Sequence, residues 1–211
     1  VAGFHARRQA AAVTDTSSTP VADAEDGYRR INGTVMAMED DTLIAPLTGV
    51  ACCWYTITVE QWTRPLQNPQ RKNEWVAVRS ETSSAPLLVR DDSGICLVRP
   101  HSAEITPTDR CRWTGATLEP ADASPRRAGP GEPLHGMVQV SGLPGHEFRY
   151  REECIYAGDR VLVVGTVSHR PDDEDEADLT PAELVTRTEI ARGTSRQPFL
   201  ITTVSPTEHV A

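Results

Sequence analysis

The feature that most constrains this chain is a strict two-residue alternation around Tyr55, Ile57 and Val59, which are interleaved with Thr56, Thr58 and Glu60. A period of two puts one set on each face of a pleated strand. Residues 51–62 therefore read as a half-buried β-strand, with Trp54 and Trp62 on the second face. Shorter runs at 28–38, 43–46 and 75–78 also read as strands. Residues 86–90 and 95–98 flank Asp91, Asp92, Ser93 and Gly94. Asp and Ser hydrogen-bond their own backbone in tight turns and Gly accepts positive φ, so this is a hairpin. Residues 148–156 and 160–167 read as a second hairpin, turning at Ala157, Gly158 and Asp159. Its second strand is apolar on both faces and should be central. Residues 136–140 and 198–202 add shorter strand-like pieces, and residues 99–115 are less regular.

Glycine and proline are frequent, 14 and 16 residues, which punctuates the chain with turns. One helix is signalled. Thr180, Pro181 and Glu183 form a capping-box pattern with proline at the first helical position, and Gly193 would end the helix near Arg192. Many short strands and one helix predict a mostly β fold. We expect an OB-like small β-barrel or sandwich with one helix in the C-terminal region.

Residues 1–26, rich in Ala, Thr, Ser and Asp, read as a disordered or juxtamembrane linker. The β-rich stretch 27–167 extends into a domain ending near 204. It contains a loop at 116–133 and an acidic loop plus helix at 170–192, and residues 205–211 form a tail. No run approaches the roughly 20 apolar residues of a membrane span. The chain starts at Val1 and reads as a piece of something longer. Phe4 followed by Arg7 and Arg8 fits either the end of an excised membrane helix with its basic anchor or a plain terminus.

The formal net charge is −9. Non-specific nucleic-acid binding rests on basic patches. No aromatic-basic stripe runs along the sequence, so nucleic acid is not an expected partner. No phosphate-binding glycine motif is present. The six histidines are scattered, and none is paired with cysteine at zinc spacing. The acidic run from Asp172 to Glu176 lacks the spacing and glycine of a calcium loop. No metal or cofactor is therefore expected. Cys52, Cys53, Cys96, Cys111 and Cys154 lack C-x-x-C spacing and read as reduced thiols, with a disulfide through Cys111 as the alternative. Cys154 near His146, and the pairs Asp91–Asp92 and Glu152–Glu153, read as packing and turn residues. We expect no catalytic residue and no enzyme.

Four residues stand out as buried polar or interaction candidates: Glu152, Trp54, Tyr55 and Asp91. Glu152 shares a strand face with Phe148, Tyr150, Cys154 and Tyr156. Burial of that face would bury a carboxylate, which needs a cation or several donors. Arg79, Arg90, Arg149 and Arg151 are the candidate cations, and a ligand-binding role is the alternative.

Taken in order, several pieces resemble one family. They are Gly27, Tyr28, Asn32 and Gly33, the run from Ala45 to Gly49, Cys52 to Tyr55, and Val59 with Glu60. Pro86 to Leu88, Asp91 to Gly94, Leu97, Val98, Pro100, Ala103 and Glu104 follow. Arg149 to Glu152, Gly158, Asp159, Val163 to Gly165 and Arg196 to Ile201 complete the set. No piece is specific alone, whereas their order and spacing resemble the GIDE, or beside-a-membrane, domain. That domain is the extramembrane part of a mitochondrial E3 ubiquitin ligase family and of bacterial membrane proteins without the ligase module. The bacterial branch is the nearer likeness. The resemblance implies flanking membrane helices outside this chain, a bacterial inner-membrane setting and a protein partner. The two basic residues at the start and the thiols favour the cytoplasmic side, while the mitochondrial relatives favour the periplasmic one. The ligase members act through a C-terminal zinc-binding RING, whose cysteine and histidine array is missing here, so the ligase activity does not carry over. The expected role is a non-catalytic interaction or scaffold domain. The alternative is an OB-like ligand- or peptide-binding sensor.

Overall fold

The computed structural model describes residues 17–38, 42–63, 74–107, 109–120, 148–171, 179, 183, 185–194 and 197–204. The chain divides into two units. The first comprises Val1–Thr42, Ser84–Thr108 and Ile155–Ala211, and the second Leu43–Ser83 and Asp109–Cys154. Each unit is therefore assembled from separated stretches of chain.

The first unit holds β1 (Gly27–Val35), β6 (Leu87–Arg90), β7 (Ile95–Val98), β8 (Glu104–Thr106), β11 (Arg160–His169), β12 (Thr188–Ala191) and β13 (Leu200–Thr203). Strands β1, β6, β7, β12 and β11 close on β1 to form a five-stranded barrel. Within the barrel only β7 and β12 pair in parallel, and its other pairs are antiparallel. Numbered within the barrel, the order is one-two-three-five-four, which is OB-like. The expected β-barrel is thus what the chain forms.

Cross-strand partners show how the barrel is filled. Leu87 lies opposite Val98, Val98 opposite Ile190, and Ile190 opposite Val167, all buried. Ile31 faces Val163 in the same way. Strand β11 is apolar on both faces, as its sequence predicts. On the reverse side, Leu162, Val164 and Leu200 pack with Tyr28 and Val204. One edge of β11 pairs with β1. The other pairs with β13 through Val161 to Val164 and with β12 from Thr166 onward. Gly165 sits at this changeover, where a Cβ would lie 2.8 Å from both Ile190 and Phe199.

The second unit holds β2 (Leu43–Ile44), β3 (Ala51–Cys52), β4 (Trp54–Thr63), β5 (Glu74–Thr82), β9 (Asp109–Gly115) and β10 (Phe148–Ile155). Strands β2 and β3 pair as a small hairpin, and the others form a sheet in the order β5-β4-β10-β9. The alternation read around Tyr55 appears as expected, with Ile57 and Val59 buried. They pack with Leu47, Cys111, Trp113, Phe148 and Tyr150.

Four expectations are corrected. The strands at 148–156 and 160–167 do not form a hairpin, because β10 pairs in the four-stranded sheet and β11 in the barrel. Pairing follows burial of apolar faces, and a glycine turn alone does not fix it. Glu183 and Val185 are helical, but Thr188–Ala191 is strand β12, so no helix continues to Arg192. The parallel partner β7 overrides the local helix signal. Residues 99–115 contain two strands, β8 and β9. The assigned linker is ordered over its last part, since Val21 and Ala24 are buried and Ser18 bridges to Arg30. Residues 1–16, the predicted strand at 136–140, the acidic run at 172–176 and the tail at 205–211 lie outside the described residues.

Candidate functional site

The most polar feature of the second unit's core is Glu152, which is fully buried on β10. Its carboxylate reaches the turn between β2 and β3. It accepts hydrogen bonds from the Leu47 N–H at 2.8 Å, the Thr48 N–H at 3.3 Å and the Thr48 hydroxyl. The turn also closes on itself. The Ala45 N–H donates to the Val50 carbonyl and the Gly49 N–H to the Ala45 carbonyl, with Gly49 at φ +69°. Donors in a tight turn have no ladder partner, and a buried carboxylate needs several donors. The two needs meet here. Three of the proposed cations serve other carboxylates: Arg79 pairs with Glu81, Arg149 with Glu60 and Arg151 with Glu153. The sequence reading thus found Glu152 but not the turn residues, in particular Thr48, that hold it.

Tyr55, on the same face as Ile57, donates to the Glu81 carboxylate at 2.5 Å, and Arg79 donates to its other oxygen at 3.1 Å. The bond to Glu81, with burial and the nearby negative charge, pushes the Tyr55 phenol up to about 12. The same bond, reinforced by Arg79, holds Glu81 below the usual carboxylate range. Trp54 is buried, and its indole N–H has no hydrogen-bond partner among the described residues.

Asp91 belongs to the first unit and organises the β6–β7 turn. One oxygen accepts from the Ser93 and Gly94 N–H groups and the Ser93 hydroxyl, and the other accepts from the Val21 N–H at 2.8 Å. Burial raises its pKa, but these hydrogen bonds outweigh burial and leave it lowered. Asp91 therefore pins the 3-10 turn Val21–Asp23 to the hairpin.

The five cysteines are thiols, and all but Cys53 are buried. Burial, aided by the charge of Asp91, pushes the Cys96 thiol up to about 12. Among the described residues no group of three or more His, Cys, Asp and Glu side chains is placed to hold a metal ion.

The outer face of the four-stranded sheet was not legible along the chain. Strand alternation and register place Glu60 and Trp62 of β4, Trp75 of β5, Arg110 and Arg112 of β9, and Arg149, Arg151 and Glu153 of β10 on it. Trp62 and Trp75 are in ring contact at 5.1 Å, and the Arg149 guanidinium lies 3.8 Å over Trp75. The tryptophans come from two successive strands and the arginines from two strands further along the chain. Only the folded sheet makes them neighbours.

Comparison of the chain with family models, curated proteins and solved structures returned no match.

Proposed function

We propose that this chain is the extramembrane domain of a bacterial membrane protein of the GIDE, or beside-a-membrane, type, acting as a non-catalytic interaction or scaffold module. The observation that supports this reading is the bond network of Glu152. Two separated pieces of the resemblance, Ala45 to Gly49 and Arg149 to Glu152, are joined in space by that carboxylate. Residues that reactive chemistry would use hold structure instead. Glu152 and Asp91 stabilise turns, and Tyr55 and Arg79 bind Glu81. The barrel interior is occupied by aliphatic side chains, which favours a scaffold over a sensor that binds its ligand inside the barrel.

The parent coding sequence tests the proposal. It should encode apolar spans of roughly 20 residues on both sides of this chain, and the full product should fractionate with membranes. A full product without spans that stays in the soluble fraction overturns it.

A further inference from the structure

We infer that the outer face of the four-stranded sheet is a docking surface for an anionic phospholipid bilayer. Within a chain of net charge −9, this face sets four arginines, Arg110, Arg112, Arg149 and Arg151, against two carboxylates, Glu60 and Glu153, among the described residues. Arginines scattered on a solvated strand need no explanation, but this arrangement does. Arg112 and Arg151 are direct cross-strand partners. Like charges placed directly opposite destabilise a sheet. Arg112 makes no ion pair among the described residues, and the side chain of Arg151, paired to Glu153, is still 47% exposed. Glu153 offsets the charge of Arg151 from one side, and an anion seated between the Arg112 and Arg151 guanidinium groups would convert their remaining repulsion into attraction.

The aromatic residues of the face choose the occupant. Trp62 and Trp75 are half-buried beside the arginines, the combination of tryptophan and arginine suited to a membrane–water interface. Base stacking is disfavoured because Arg149 already covers the Trp75 ring and Trp62 lies against it. An extended peptide would seek a groove or a strand edge, not the open face of a sheet. Each arginine near an anionic surface contributes roughly fivefold to partitioning. That is weak for a free domain and sufficient for one held beside a bilayer by a tether. The inference thus rests on the membrane-tethered reading above.

The test is co-sedimentation of this full chain with dense vesicles of pure phosphatidylcholine, or of phosphatidylcholine mixed with equal parts of phosphatidylglycerol. Binding is expected only to the anionic vesicles and should weaken as salt rises. Arg112→Gln should lower partitioning roughly fivefold, and Arg112→Gln with Arg151→Gln roughly 25-fold. Arg112 makes no ion pair among the described residues, so the single variant stays informative if the double one folds poorly. Equal binding to both vesicle types, no response to Arg112→Gln, or displacement of vesicles by a single-stranded oligonucleotide or an acidic peptide at lower concentration overturns the inference. A negative vesicle result with membrane spans present in the parent sequence removes this inference alone. A parent sequence without spans removes the tethered reading.

Discussion

At the scale of single residues, Glu152 and Asp91 do the same work in different units. Each carboxylate gathers backbone N–H groups that a tight turn leaves without ladder partners. Glu152→Gln removes the carboxylate charge from the turn's N–H donors and makes the Thr48 hydroxyl turn from donor to acceptor. It should cost about 1–3 kcal/mol in urea denaturation. Thr48→Val combined with Glu152→Gln should cost less than the two separate losses added together. Unchanged stability in Glu152→Gln would return Glu152 to the pool of ligand-binding candidates. Asp91 predicts a pH response. Its folded pKa is lowered, so its contribution is complete above the unfolded value of about 4 and is lost as pH falls through the folded value. Proteolysis near residues 17–24 should therefore accelerate in acid below about pH 4. Asp91→Asn should show that susceptibility already at neutral pH, and an unaltered cleavage profile in that variant would count against the role.

At the scale of elements, β11 organises the first unit, because three strands divide its two edges. Gly165 makes that division feasible. Gly165→Ala should destabilise the chain by about 1–3 kcal/mol, the range for forcing an extra methyl into a packed core. Thermal or chemical denaturation reads this directly, and a neutral outcome would mean that Ile190 and Phe199 can yield. Much of this was legible in sequence. The two apolar faces of β11, the turn of the β6–β7 hairpin and the alternation of β4 are local signals, and each appears where the residues place it. Beyond the β6–β7 hairpin, the partners of the strands were not legible. The turn at Gly158 looks like a hairpin, yet it passes the chain from one sheet to another. The helix signal after Thr180 is genuine at Glu183 and Val185, and then yields to a parallel pairing with β7 that no local pattern encodes. The candidate site divides the same way. Glu152 is visible as a carboxylate on an apolar face, while Thr48 and the paired Arg112 and Arg151 become neighbours only through register.

At the scale of the whole molecule, the thiols give a simple probe of integrity. Four of the five cysteines are buried and Cys53 is partly exposed. A thiol reagent should modify one cysteine in the native protein and all five after denaturation. Rapid native reaction at two or more sites would contradict the described core.

The interleaving of the two units has a consequence for synthesis. Gly27 to Thr34 cannot find their β11 partners until more than a hundred further residues have left the ribosome, and the four-stranded sheet must wait for β10. Pairings this distant carry large loop-closure costs before contacts reward them, so folding should be slow. During that interval the apolar strands β6, β7 and β11 are exposed to one another and to neighbouring nascent chains, which makes this chain a natural client for holding factors in the cell.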